Sequence, residues 1–355
     1  MAIRRRKLKI ALIGDLFVKN ELLKNSLSKH LKFISDLNFS SLSLNWPEEP
    51  LNEGKEITEY GGSEEQVKKI AKEAEVLVTQ IAPVTANVIR HCPQLKIIGC
   101  CRGGPVNINV KAATERAIPV VNAPGRNAIA VAEFTLGMIL AELKSIARSY
   151  SDLKRGIWKG SFYSYKRAGE ELYGKKIGII GFGFIGSKLA TFLKPLDMQV
   201  LVYDPFVPKE KIKKAGVKPV NLNTLLKESD IITLHCRLNS KTRKMIGEKE
   251  FKKMKTGAYF INSARGELID YKALYQALKE KKLAGAALDT FDKEPLSPHS
   301  PLLKLNNVTL TPHLAGSSRQ TAQRSAEMIA RDISRYFKGK TPLHCINPEV
   351  LKMKK

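Results

Sequence analysis

The 355-residue sequence predicts an α/β protein of two units, each built around a parallel sheet. Three observations carry that prediction. Short apolar runs alternate with helix-like stretches along the chain. The alternation breaks once, at Asn122-Ala123-Pro124-Gly125. A glycine-rich turn then joins a strand to a helix in the second half. With 43% hydrophobic and 26% charged residues, the composition is that of a globular protein and excludes disordered, collagen-like and coiled-coil classes.

In the first third, strands are expected at residues 8–13, 76–79, 95–99 and 118–121, with helices at 19–33, 63–74 and 109–116. A long helix over 127–147 follows, apolar around most of its circumference in its first half and therefore expected to be buried on several sides. A second series of strands is expected at 176–181, 199–203, 230–234, 258–261, 284–288 and 308–311. The last helix, 318–337, places Ala322, Ala326, Ile329, Ile333 and Tyr336 on one face, and Gly339 is its expected stop.

Charge and cysteine usage narrow the class. The net charge of +26 draws anions of many kinds, but the lysines are dispersed with few aromatics between them and no nucleic-acid module is evident. Nucleic acid is therefore not an expected partner. No apolar run reaches the roughly 20 residues a membrane span needs. The basic start, residues 1–6, leads into a stretch interrupted by Lys9 and lacks a cleavage-like site, so it reads as the approach to a first strand. Cys92, Cys100, Cys101, Cys236 and Cys345 are odd in number and irregularly spaced, which fits a reducing, cytoplasmic setting. No metal is expected, since no CxxC or HxxxH pair occurs.

Gly181-Phe182-Gly183-Phe184-Ile185-Gly186 follows the strand KKIGII and opens a helix expected over 187–193. Gly181 permits the tight turn, Gly183 lets a pyrophosphate approach the backbone, and Gly186 lets helix and strand pack closely. The next strand ends at Asp204, near the roughly 20-residue spacing of the acidic residue that binds ribose hydroxyls. A carboxylate there repels a 2′-phosphate, which favours NAD over NADP, although Lys209 and Lys211 lie nearby.

Three strand ends then supply polar residues to one sheet edge: Asn262-Ser263-Ala264-Arg265-Gly266, Asp289 through Pro295, and Thr311 through Gly316. Oxidation of a hydroxy acid needs a base for the hydroxyl proton, a cation for the carboxylate and a group that tunes the base. Arg265, Glu294 and His313 are the candidates. His30, His91, His235, His299 and His344 read as structural or surface residues.

These motifs, in this order, resemble the D-isomer-specific 2-hydroxyacid dehydrogenase family, which includes phosphoglycerate, glycerate and D-lactate dehydrogenases. The resemblance runs from the strand at Leu8 through INPEVL near the end. It implies two doubly wound parallel-sheet domains: a Rossmann NAD-binding domain, 123–317, inserted into a flavodoxin-like substrate domain, 1–122 and 318–355. It implies that Arg265 holds the substrate carboxylate, that His313 is the acid/base and that Glu294 stabilises its imidazolium. Phe184, Ile185, Ser263, Ala264 and Gly316 then line the dinucleotide, and Asp289 bonds the nicotinamide carboxamide.

By the same resemblance, the loop containing Arg102, Gly103 and Gly104 cradles a small anionic 2-hydroxy or 2-keto acid. Arg102, Pro105 and Val106 depart from the family's Gly-x-Gly and Asp-Asn pattern. Arg102 either meets a second anionic or polyhydroxylated group, pointing to a phosphorylated or sugar-derived acid such as 3-phosphoglycerate, or faces solvent or the neighbouring domain. The helix at 127–147 resembles the family's dimer-forming arm, so a homodimer is expected. The chain ends soon after Pro348, and a C-terminal regulatory domain is not expected. An NAD-sensing corepressor with the same fold is the alternative reading. Formate dehydrogenase, which shares the fold, is disfavoured by the Glu294 and His313 pair.

Overall fold

The computed structural model describes residues 7–352, and the basic run at 1–6 lies outside them. The chain forms two compact units, one holding the residues to Arg126 and from Ser318 on, the other Asn127–Ser317. The first unit extends past the expected boundary at 122 because the Ala123 amide donates to the Arg102 carbonyl at 2.8 Å within that unit.

The first unit has β1 (Lys7–Gly14), β2 (Asp36–Ser43), β3 (Val76–Thr79), β4 (Ile97–Cys100) and β5 (Val120–Asn122). They form one parallel sheet in the order β2-β1-β3-β4-β5. Alternate residues feed two cores. Ile10, Leu12 and Ile97 pack with Leu23, Leu27, Ala326 and Ile329 of helices Asn20–His30 and Arg319–Phe337. Ala11, Ile13 and Ile98 pack on the opposite face with Val67, Val88 and Ala113. Burial on both faces is why these strands read as unbroken apolar runs rather than alternating ones. Cys100 and Cys101 enter opposite cores, as neighbours on an extended chain must.

β2 is absent from the sequence prediction. Its sequence, DLNFSSLS, is dominated by Ser, Asn and Asp, and as an edge strand it stays half-exposed, so tertiary pairing with β1 overrides a weak local signal.

The second unit has β6 (Lys176–Ile180), β7 (Gln199–Tyr203), β8 (Lys218–Pro219), β9 (Ile231–Leu234), β10 (Ala258–Asn262), β11 (Leu283–Leu288) and β12 (Val308–Leu310). All are parallel, in the order β8-β7-β6-β9-β10-β11-β12. The order reverses at β6, which makes the crevice between β6 and β9 the topological switch point, where open α/β sheets bind ligands. Among the described residues, no helix is long and apolar enough to cross a membrane.

The helix expected over 127–147 is two helices, Ala128–Leu143 and Ile146–Lys154, separated by Ser145 at φ +55°. Arg148 folds back across the break, donating to the Glu142 carbonyl at 2.9 Å and to its carboxylate at 3.0 Å. Glu142 is fully buried and also accepts from Thr309 Oγ1 at 2.6 Å. Burial pushes its carboxyl above the ordinary range, with Arg148 and the Thr309 bond opposing. A Cβ at residue 285 would lie 2.1 Å from Glu142 Oε1, so only glycine on β11 leaves room for this carboxylate.

Candidate active site

The glycine-rich turn leaves β6 at the switch point. Gly181 has φ +99°, and a Cβ there would lie 2.6 Å from the His235 carbonyl carbon and the Cys236 nitrogen. Glycine is required for both reasons. A Cβ at Gly186 would lie 2.0 Å from the Gly181 oxygen, so the helix starts hard against the turn. At Gly183 a Cβ would meet nothing within 4 Å. Open space therefore stands before the start of helix Phe184–Leu193, whose first residues, Phe184 and Ile185, have amides without acceptors earlier in the helix. This is the cradle that a pyrophosphate fits. The helix begins earlier than expected because Gly183 is its N-cap: its carbonyl accepts the Ser187 amide at 3.1 Å and the Ser187 hydroxyl at 2.7 Å.

Asp204 stands just after β7. Its Oδ2 accepts the Phe182 amide at 2.7 Å, and its Oδ1 accepts the Phe206 and Val207 amides at 2.8 and 3.2 Å. A carboxylate has about four acceptor positions, so it braces the turn and keeps capacity for a ribose hydroxyl. A cavity of about 500 Å³, lined by Tyr203, Asp204, Phe206, Lys209 and Asn221 among others, lies at this edge. The open face of Gly183, the helix start and the Asp204 cavity together fit a dinucleotide.

Three loops complete the unit's carboxyl edge. After β10, the hydroxyl of Ser263 is buried against Thr135 Oγ1 at 2.7 Å, and the Ala264 amide donates to Asn262 Oδ1 at 3.0 Å. Asn262 Nδ2 donates to the Arg265 carbonyl at 2.9 Å. With its loop held on both sides, Arg265 projects an exposed guanidinium whose one bond among the described residues, from Nη1, goes to the Ala264 carbonyl at 2.8 Å. After β11, Glu294 Oε1 accepts the Phe291 amide at 2.9 Å. After β12, His313 Nδ1 lies 2.7 Å from Glu294 Oε2, and its half-exposed ring leaves Nε2 without a partner among the described residues. Gly316 lies where a Cβ would meet Asn127 Nδ2 at 3.0 Å.

Asp289 makes contacts other than the carboxamide bond expected of it. Fully buried, it accepts Thr311 Oγ1 at 2.6 Å and the Leu314 and Ala315 amides at 2.8 Å each. All three bonds go to the loop carrying His313, whose backbone is left-handed at φ +54°, a conformation a non-glycine residue keeps only when its surroundings enforce it. Asp289 thus braces the histidine loop from beneath. Sequence reasoning missed this, since spacing places Asp289 at the sheet edge but does not say which donors face it. It also passed over His235 as part of the site. The backbone at His235 and Cys236 forms the floor under Gly181, while desolvation pulls the His235 ring to about 3, so it stays neutral and does not compete as an acid/base.

In the first unit, Gly103 and Gly104 follow β4 with exposed amides that donate to no protein acceptor among the described residues, and a Cβ at Gly104 would meet nothing within 4 Å. Arg102 has a partner within the first unit that sequence reasoning did not include. Its guanidinium is ion-paired with the Glu59 carboxylate and donates to the Glu59 carbonyl at 2.8 Å, so its charge is already matched inside the unit.

A family profile described as "D-isomer specific 2-hydroxyacid dehydrogenase, NAD binding domain" matches residues 136–315. The chain is 43% identical to D-3-phosphoglycerate dehydrogenase of Archaeoglobus fulgidus over 80% of its own length and 53% of that protein's. It therefore spans about half the length of that relative. It is 38% identical to glyoxylate reductase of Korarchaeum cryptofilum, covering 80% of this chain and 86% of that one. Among solved structures, it is similar to the NAD complex of a D-isomer specific 2-hydroxyacid dehydrogenase from Lactobacillus delbrueckii ssp. bulgaricus. That match has 26% identity and a TM-score of 0.76, covering 96% and 100% of the two chains.

Proposed function

The chain belongs to the D-isomer-specific 2-hydroxyacid dehydrogenase family, and from that premise we propose that it interconverts a D-2-hydroxy acid and its 2-oxo acid. NAD is the cofactor, supplying the hydride acceptor or donor when bound. Gly183, the amides of Phe184 and Ile185, and Asp204 hold it by the pyrophosphate and the adenosine ribose.

His313 Nε2 takes the hydroxyl proton in oxidation and returns it in reduction. Glu294, on the far ring nitrogen, fixes the ring and stabilises the imidazolium. Arg265 pairs with the substrate carboxylate, which a permanently charged fork bonds through two oxygens. Within the first unit, Gly103 and Gly104 keep amides that bond no protein acceptor among the described residues and are the proposed donors to a small anion. The single observation that carries the reading is the 2.7 Å His313–Glu294 contact, beside an Nε2 that bonds no other described residue.

The test is NADH oxidation against a panel of 2-oxo acids. Turnover on at least one, reduced about 100-fold or more in His313→Ala, is the expected result. No turnover on any would overturn the activity.

A homodimer is the proposed assembly. Residues 146–173 carry an exposed apolar series, including Ile146, Tyr150, Leu153, Trp158 and Tyr163, with Trp158 85% accessible. A continuous series of this kind is what a partner surface covers. A monomeric mass in solution would remove the proposal. The five unpaired thiols suit a reducing compartment, and the cytoplasm is the proposed location.

A further inference from the structure

Glu294 reaches His313 from a loop of the second unit that has few anchors. Between Thr290 and Glu294 the main chain makes two hydrogen bonds among the described residues: the Phe291 amide donates to Glu294 Oε1 at 2.9 Å, and the Thr290 carbonyl accepts a phenol. The first bond lies within the loop, so it orients the carboxylate but ties it to nothing outside. The buried Thr290 hydroxyl bonds no described residue.

The phenol belongs to Tyr271, in the same unit. Its Oη donates to the Thr290 carbonyl at 2.6 Å, and its ring packs on Phe291 with centroids 6.5 Å apart and planes tilted by 44°. Tyr271 opens the helix Tyr271–Lys279, whose N-cap Asp270 accepts the Lys272 and Ala273 amides at 3.0 and 3.2 Å. The ring therefore stands on a fixed base. Burial, with Asp292, Glu294 and Glu267 nearby, holds the hydroxyl proton well above the ordinary phenol range, so Tyr271 remains a donor at every working pH. A steric restraint acts beside it: a Cβ at Gly266 would lie 1.9 Å from the Phe291 carbonyl carbon, so the residue after Arg265 packs hard against the same loop. Such a wall only excludes positions, and the directional Tyr271 bond selects one.

We propose that Tyr271 is a positioning residue for the reaction: its hydroxyl, through the Thr290 carbonyl and the Phe291 amide, holds the Glu294 carboxylate where it stabilises the His313 imidazolium. This rests on the dehydrogenase reading and deepens it. The effect of Tyr271 on turnover runs through Glu294, whose other charged neighbours are His313 and Arg265.

The test is a double-mutant cycle of Tyr271→Phe and Glu294→Gln, read on the 2-oxo acid that wild type reduces fastest. Alone, Tyr271→Phe should lower kcat about fivefold, the scale of one hydrogen bond, with NADH affinity unchanged within about twofold. On the Glu294→Gln background the same change should cost less than about twofold, because the charge being aimed is gone. The alkaline limb of kcat/KM for reduction should move about half a unit to lower pH in Tyr271→Phe. A loss under about twofold in the wild-type background, or the same loss in both backgrounds, would make Tyr271 a packing residue and overturn the proposal. If wild type reduces no 2-oxo acid, the dehydrogenase reading fails separately, and an NMR titration of isotope-labelled histidine rings decides without turnover. The His313 signal, identified by its absence from His313→Ala, should titrate about half a unit lower in Tyr271→Phe than in wild type. Midpoints equal within about 0.1 would overturn the positioning role. Tyr271→Phe keeps the ring contact with Phe291 and loses one oxygen, and each measurement is made below the Tm of every variant compared.

Discussion

Glu294 faces His313 with one carboxylate oxygen and its own loop with the other: Oε2 lies 2.7 Å from His313 Nδ1, and Oε1 accepts the Phe291 amide at 2.9 Å. Burial works against its charge. The His313 bond, the Phe291 amide, and the charges of His313 and Arg265 outweigh it and hold the carboxyl below its ordinary value. A depressed carboxyl stays ionised through neutrality, and its support for folding and for the imidazolium is lost only as pH falls through that lowered value. Glu294→Gln removes the charge and keeps the shape. The alkaline limb of kcat/KM for reduction should shift to lower pH, so a pH profile superimposable on wild type would sever the coupling.

His313 is the residue on which turnover depends most directly. His313→Ala should lose about 10²–10⁴-fold in kcat, the usual contribution of a positioned acid/base. Binding of NADH, read by fluorescence titration, should change little, because the glycine turn and Asp204 are untouched. Turnover close to wild type would remove the proton-transfer role.

The glycine turn permits a test that separates folding from binding. A side chain at Gly183 enters open space, so Gly183→Val should leave Tm within about 3 °C of wild type. NADH affinity should fall about tenfold or more, because the new methyl groups stand where the pyrophosphate approaches. Gly181→Ala should do the reverse of the first part: its Cβ meets the backbone at His235 and Cys236, and its φ is positive, so stability should drop by about 2 kcal/mol or more. Equal Tm losses in the two variants would contradict the assignment of Gly183 to a ligand.

Asp15 gives the first unit a pH dependence of its own. Desolvation raises its carboxyl to about 6, opposed by the Val18 and Phe17 amides and by Arg126 and Arg102. Because the folded value lies above the unfolded one, the stability linked to the protonated form is full below the ordinary carboxylate range and is lost as pH rises through about 6. The shift corresponds to an effect on the order of 3 kcal/mol. Asp15→Asn keeps an acceptor for both amides and should flatten the change in Tm between about pH 4 and pH 7. A variant whose Tm tracks wild type across that range would show that Asp15 is not the titrating group.

The strands with both faces buried were legible in sequence because burial on two sides demands uninterrupted apolar runs; β1, β3, β6 and β11 are examples. β2 was not legible, since an edge strand of serines is stabilised by its neighbour rather than by its own propensities. The break at Ser145 was hidden for a similar reason: Arg148 closes the helix end through a side-chain bond that leaves no periodicity to read. Spacing brought Glu294 and His313 to one edge, but only coordinates could reveal that Glu59 occupies Arg102 and that Asp289 serves the histidine loop. Both depend on partners distant in sequence.

The pocket that Gly285 leaves for the Glu142 carboxylate ties two positions on separate elements to a common fate. A methyl group on β11 and an acid on the facing helix exclude one another at 2.1 Å. Neither residue can drift alone: alanine at 285 becomes tolerable only after 142 has lost its carboxylate, whereupon Thr309 and Arg148 lose their acceptor. In descendants of this chain the four residues should therefore be exchanged as a set or kept as a set.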